Sequence, residues 1–161
     1  MKSASRGFTL IELLVVVTIG AILASLVVLG LGRWPSPDHP ERQLARMAAL
    51  LELQCEQALF QSRPRGIRVT AGGFDFWQGS ASGWVELPAS GINQPRAWTG
   101  GAEPGLFLEG RAQALEEEIE RPQIQCQPLG EVTPFELELA AGEQRVLLRV
   151  SGGGQAQLQT G

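Results

Sequence analysis

The sequence predicts an α+β protein: an N-terminal transmembrane helix, then a second, amphipathic helix packed on an antiparallel β-sheet or sandwich. Three observations predict it. From Phe8 to Gly32 the chain departs from apolar or small residues only at Thr9, Glu12, Thr18 and Ser25. From Glu41 to Ser62 it is rich in helix formers with apolar residues three and four apart, the spacing of one helix face. After Pro64 it breaks into short runs of alternating polarity separated by Gly and Pro, the style of antiparallel strands.

Leu13 to Leu31 forms an apolar core of 19 residues. As a helix it measures roughly 28 Å, close to the hydrocarbon thickness of a bilayer. Lys2 and Arg6 precede it and Arg33 follows, so the basic excess predicts a cytoplasmic N-terminus and an exported C-terminal domain. A cleaved secretory signal would share the basic start. Here the run is longer than an ordinary signal core, and LGLGRWPSPDHP beyond it contains no A-x-A site, so an anchor is the better reading.

Prolines at 35, 37 and 40 follow the anchor. Each removes a backbone donor and disfavours helix in the residue before it, which predicts a hinge over 33–40. The second helix is expected to restart near Pro40, with Asp38 as cap and Glu41 completing a capping box. Its apolar stripe is Leu44, Met47, Leu51, Cys55, Ala58 and Leu59, and Pro64 ends it. The expected organisation is therefore a leader over 1–7, the membrane helix over 8–32, the hinge over 33–40, and a domain over 41–161 whose helix spans 41–62.

The strands expected next are GIRVT, GFDFWQ, GWVELP, GLFLE, PQIQCQP, PFELEL, QRVLLRV and QAQLQ. Phe135, Leu137 and Leu139 alternate with Glu136 and Glu138, and Val146, Leu148 and Val150 alternate likewise. A hairpin with one buried face follows from that pattern. The segment 89–105 reads as a Gly/Pro-rich loop, 111–122 as either a strand with an acidic turn or a short helix, and Glu116 to Glu118 as a solvated face.

Several chemistries have no residues to carry them. His39 is the one histidine, which leaves neither a Ser-His-acid triad nor a histidine-based metal site. Gly152 to Gly154 lacks the Lys-Ser/Thr of a phosphate loop and reads as a turn. No catalytic residue, metal or cofactor is expected. The net charge of −4 falls to −6 if Lys2 and Arg6 are removed, so nucleic acid is not an expected partner. Trp77 and Trp84 read as core or sheet-edge residues, and Trp98, in the polar loop, as a partner contact. Cys55 and Cys126 lie in the exported part. They could form a disulfide if the helix packs on the strand of Ile124; otherwise they are two buried thiols.

Glu12 is the one charge in the apolar run, in a segment with no lysine or arginine. An ionisable group there costs on the order of 2.5 to 3.5 kcal/mol on insertion scales and is usually paired. RGFTLIELLVVVTIGAILASL closely resembles the class III signal and N-terminal helix of type IV pilins and type II secretion pseudopilins. The resemblance implies a pilin-like fold, cleavage by a prepilin peptidase between Gly7 and Phe8, N-methylation of Phe8, and pairing of Glu12 with the new terminal amine of a neighbouring subunit.

The remainder is similar to the H-type minor pseudopilins (GspH/XcpU-like) of the type II secretion system. The resemblance is carried by the helix running into an Arg-Pro-x-Gly turn, the aromatic strand GFDFWQ, GWVEL, and PQIQCQPLGEVTPFELEL. It implies a structural component of the pseudopilus, anchored in the inner membrane with a periplasmic domain. Other minor and major pseudopilins and the prepilin peptidase are its implied partners, with exoproteins as further candidates. A minor pilin of a type IV pilus (FimT/FimU-like) is the alternative; some such pilins bind DNA and would carry a basic tail, whereas SGGGQAQLQTG has no basic residue. A membrane-anchored periplasmic enzyme is the remaining reading.

Overall fold

The computed structural model describes residues 10–31 and 38–161, and side chains throughout those ranges except for 24–31. The chain divides into two compact units, Met1–Pro35 and Ser36–Gly161. The first contains helix α1, Leu10–Leu31. The hinge expected over 33–40 falls, except for its last three residues, outside the described residues.

The second unit opens with α2, Pro40–Gln61. Its start departs from the expected capping box. His39 is the N-cap and makes no side-chain cap hydrogen bond; its carbonyl accepts from the backbone N–H groups of Arg42 and Gln43. Pro40 takes the first helical position, where its missing N–H costs nothing. The helix ends on Ser62, a non-glycine in the left-handed region at φ 52°, and its N–H closes onto the carbonyls of Ala58 and Leu59. Pro64 then follows as the expected stop.

Ten short strands follow in the described residues: β1 (Arg65–Val69), β2 (Gly73–Ser80), β3 (Gly83–Glu86), β4 (Arg96–Ala97), β5 (Glu103–Leu108), β6 (Arg111–Ala112), β7 (Ile124–Cys126), β8 (Phe135–Ala141), β9 (Gln144–Val150) and β10 (Ala156–Thr160). They make two antiparallel sheets. One runs β3-β2-β1-β7, with β4 on the same edge of β2 as β3. The other runs β10-β9-β8-β5-β6. The loop read over 89–105 contains a short 3-10 turn, Gly91–Asn93, and strand β4. The ambiguous stretch 111–122 forms two residues of strand and then irregular chain in which Glu116 to Glu118 are exposed.

The hairpin β8–β9 pairs Ala141 with Gln144 across Gly142, whose φ is 61°. A two-residue connection of this kind needs positive φ at its start, which glycine supplies without a Cβ clash. The period-2 pattern then does the rest. Phe135, Leu137, Leu139, Val146, Leu148 and Val150 all turn into the core.

Helix α2 lies against β1 and β7 of one sheet and β8, β9 and β10 of the other. A single amphipathic face thereby closes a core shared by both sheets, containing Leu44, Met47, Leu51, Ile67, Phe76, Ile124 and Leu137 among others. Burial of each such side chain contributes about 1.5–3 kcal/mol. The stripe differs from the expected one at its C-terminal end. Leu59 is 50% exposed, whereas Leu50 is buried and Gln54 is fully buried.

Gln54 is buried because it has partners. Arg65, 5% exposed, donates from Nη1 to Gln54 Oε1 at 3.0 Å and from Nη2 to Gln61 Oε1 at 2.9 Å. Gln54 Nε2 in turn donates to Asn93 Oδ1 at 2.9 Å. No carboxylate hydrogen-bonds this guanidinium among the described residues, and burial pushes its pKa down. Neutral amides thus take the place of a counter-ion, joining α2, β1 and the 3-10 turn.

Candidate functional site

The N-terminal segment is the site the sequence points to, and its described part is α1. Leu10, Ile11, Leu13, Leu14, Val15, Val16, Val17, Ile19, Ile22 and Leu23 are each between 48% and 91% exposed. They occupy every face of the helix. A helix that is apolar all round is unstable in water and needs lipid or neighbouring apolar chains about it. Thr18 does not interrupt this surface, since its hydroxyl donates back to the carbonyl of Leu14 at 2.8 Å. Among the described residues no helix is long and apolar enough to cross a membrane; the apolar run extends to Leu31, beyond the last described side chain of this helix.

Glu12 sits in the first turn of α1. An acidic side chain there complements the positive end of the helix dipole. Gly7 and Phe8 lie outside the described residues.

Cys55 and Cys126 are joined by a disulfide, with Cα atoms 5.0 Å apart and a sequence separation of 71. The bond ties α2 to β7, the edge strand of the first sheet. Cys126 also forms an isolated bridge with Val132, so the staple sits where the chain passes from one sheet to the other.

Trp77 and Trp84 lie on β2 and on the edge strand β3, the sheet positions expected of them. Trp77 donates Nε1–H to Asp75 Oδ1 at 2.7 Å and lies under the Arg68 guanidinium, 5.2 Å from its ring centroid. Asp75 also pairs with Arg68. Trp98, read from the polar loop as a partner contact, is half-buried and held within the domain. Its ring packs on Phe74 with centroids 5.1 Å apart, and its Nε1–H is taken by the carbonyl of Thr70 at 3.1 Å. The reason is strand β4, which pulls the loop onto β2 and brings the indole with it.

Beside Trp98 is a feature that sequence reading missed. Arg42 and Arg46 from α2 and Arg96 from β4 line a cleft of about 420 Å³ together with Asp38, Gln43 and Trp98. The two α2 arginines are four apart and so share a helix face. Arg96 is distant in sequence, and no local pattern could have grouped it with them. Among the described residues no three or more His, Cys, Asp or Glu side chains gather as a metal site.

The fold and this N-terminal segment define a class, that of the pilin-like proteins. The structure is similar to the crystal structure of the minor pseudopilin EpsH from the type II secretion system of Vibrio cholerae, with a TM-score of 0.64 at 22% identity over 77% of this chain and 95% of that one. It is similar also to the solution structure of Escherichia coli GspH, with a TM-score of 0.62 at 22% identity over 80% and 94%. Residues 2–28 match the prokaryotic N-terminal methylation motif. Type II secretion system protein H of Pseudomonas aeruginosa is 30% identical over 148 residues, covering 85% of this chain and 84% of the relative. The corresponding protein of Escherichia coli K12 is 30% identical over 156 residues, covering 91% and 89%. The chain belongs to the type II secretion system protein H family.

Proposed function

We propose that this chain is a minor pseudopilin, a structural subunit of the type II secretion pseudopilus that helps export folded exoproteins across the outer membrane. The observation that carries the reading is the union of two parts in one chain: a methylation motif over residues 2–28 and a two-sheet domain with relatives named type II secretion system protein H. Prepilin peptidase cleaves after Gly7 and methylates Phe8. The segment 8–32 then anchors the chain in the inner membrane, N-terminus inward, and the domain from 41 onward occupies the periplasm.

Assembly rests on Glu12. Once Phe8 is the first residue, its amine is a cation, and the Glu12 carboxylate of one subunit pairs with the amine of the next. A desolvated pair made only between subunits favours association, because leaving either charge unpaired in lipid is costly. Other minor and major pseudopilins are therefore the direct partners. The chain works by packing and pairing, without an active site of its own.

Intact-mass analysis of protein from cells carrying the peptidase tests this reading. The expected mature chain begins at methylated Phe8. An intact Met1, or a cut beyond Gly32, would overturn it.

A further inference from the structure

The arginine cleft lies in a domain of the opposite sign. From Asp38 to Gly161 the sequence contains ten arginines against sixteen Asp and Glu, a side-chain net of −6 with His39 neutral. Within the cleft the balance is reversed, since Arg42, Arg46 and Arg96 face one carboxylate, Asp38. Neither Arg46 nor Arg96 forms a salt bridge among the described residues, and the Nε–H of Arg96 is buried with no acceptor. Burial first, and the Arg46 guanidinium second, push the pKa of Arg96 down. Arg42 and Arg46 reach solvent, whereas Arg96 is partly buried, and an acceptor in the cleft would satisfy its orphaned N–H.

The walls of the cleft are held firmly. Gln43 is 8% exposed, donates from Nε2 to the carbonyls of Asp38 and Thr99 at 2.8 and 3.1 Å, and accepts from the Thr99 N–H at 3.0 Å. It clamps the segment after β4 to the start of α2. The indole of Trp98 is fixed by Thr70 on the other side. Guanidinium groups mounted on such a frame present planar forks to an oxyanion, and phosphate is a group they match.

We propose that this cleft holds the phosphate of an anionic phospholipid headgroup, seating the domain on the membrane surface before the subunit enters the filament. The inference rests on the proposed insertion of α1 in the membrane. Arg42 and Arg46 lie in the first two turns of α2, and nine positions separate Leu31 from Pro40. Extended chain of that length spans at most roughly 32 Å. The anionic surface nearest along the chain is therefore the outer face of the bilayer in which α1 ends. The acidic remainder of the domain is repelled by that surface, so the cleft also sets which side faces it.

The test uses the full-length chain in nanodiscs of phosphatidylcholine, with or without phosphatidylglycerol, read by hydrogen exchange. Amides of Arg46 and of residues 96–99 are expected to exchange at least about fivefold more slowly with phosphatidylglycerol present, the factor matching one arginine's attraction to an anionic surface. Arg46→Gln and Arg96→Gln should each reduce that difference, and Arg96→Lys should keep more of it than Arg96→Gln. Equal exchange in the two lipids overturns the proposal. So does the same slowing in phosphatidylcholine discs on adding inorganic phosphate, which would make this a site for the free anion, or slowing that appears only with an acidic partner pseudopilin. A chain that fails to migrate with discs of either lipid overturns the anchoring reading and this inference together, whereas migration without lipid-dependent slowing overturns this inference alone.

Discussion

Cys55 on α2 and Cys126 on β7 are covalently joined across 71 positions of chain. In the chain-entropy account, closing a loop of that length stabilises by about 4 kcal/mol, because the unfolded chain loses the conformations that the bond forbids. The linked elements are the helix that closes the core and the edge strand of the first sheet, so the staple acts where β7, only three residues long, has few hydrogen bonds of its own.

Replacing both cysteines by alanine is therefore expected to lower the unfolding free energy by roughly 3–4 kcal/mol in urea titration. A reducing agent should do the same to the native chain and nothing to the double variant. An unchanged midpoint in both cases would show that the bond does not restrain the unfolded state.

Gly73→Ala should be more damaging than its size implies. A Cβ at this position would collide with the Arg96 carbonyl oxygen and lie 2.9 Å from Ala97 Cα, and both belong to backbone that cannot swing aside. The expected loss is about 1–3 kcal/mol, accompanied by release of β4 from β2. Fluorescence of Trp98, which follows β4 in sequence, reports the release; a native-like emission would contradict it.

Gln54→Ala removes the amide that links Arg65 to Asn93. The guanidinium then keeps Gln61 and a long contact to Asn93 Oδ1 at 3.5 Å but loses a buried acceptor, at a cost of roughly 1–3 kcal/mol. Gln54→Glu offers a charged acceptor at the same place and should lose less. Urea denaturation of the two variants separates the cases, and equal losses would show that the helix position itself, and not the hydrogen bond, sets the stability.

Asp75→Ala strips the acceptor from both Arg68 and the Trp77 indole. Hydrogen bonds to a charged group at a mostly buried site contribute about 1.5–3 kcal/mol, and a melting temperature lowered by several degrees is the expected sign. The indole should also become more accessible to quenchers, and unchanged quenching would place the Trp77 N–H on another acceptor.

In secretion-competent cells, Gly7→Val should leave the precursor uncut in the membrane fraction, and Glu12→Ala should be cut normally yet assemble poorly. Immunoblots of the processed form distinguish the first effect, and recovery of the subunit in sheared pseudopili the second. Normal secretion by both variants would remove the role assigned to these residues.

Much of the architecture was legible because it is local. The period of three and four in ERQLARMAALLELQCEQALF writes an amphipathic helix, and the period of two in PFELEL and QRVLLRV writes half-buried strands. The misjudged positions are those where a long-range partner outweighs local character. Gln54 lies outside the apolar stripe yet is buried with Arg65 and Asn93 as partners, Leu59 belongs to the stripe yet is half exposed while Ala58 beside it is buried, and Trp98 in the polar loop is held on Phe74 because β4 docks its segment on β2.

By itself the sequence determined the class of element at nearly every strand and helix, and the N-terminal motif that relates this chain to its family, because periodicity and a contiguous motif are properties of neighbours along the chain. Only the tertiary structure decided which faces meet. It brought Arg96 to Arg42 and Arg46, and Gln54 to Arg65, because such meetings depend on how β4 and the 3-10 turn fold back over α2. The cost of burying or crowding their charges exists only once they are together.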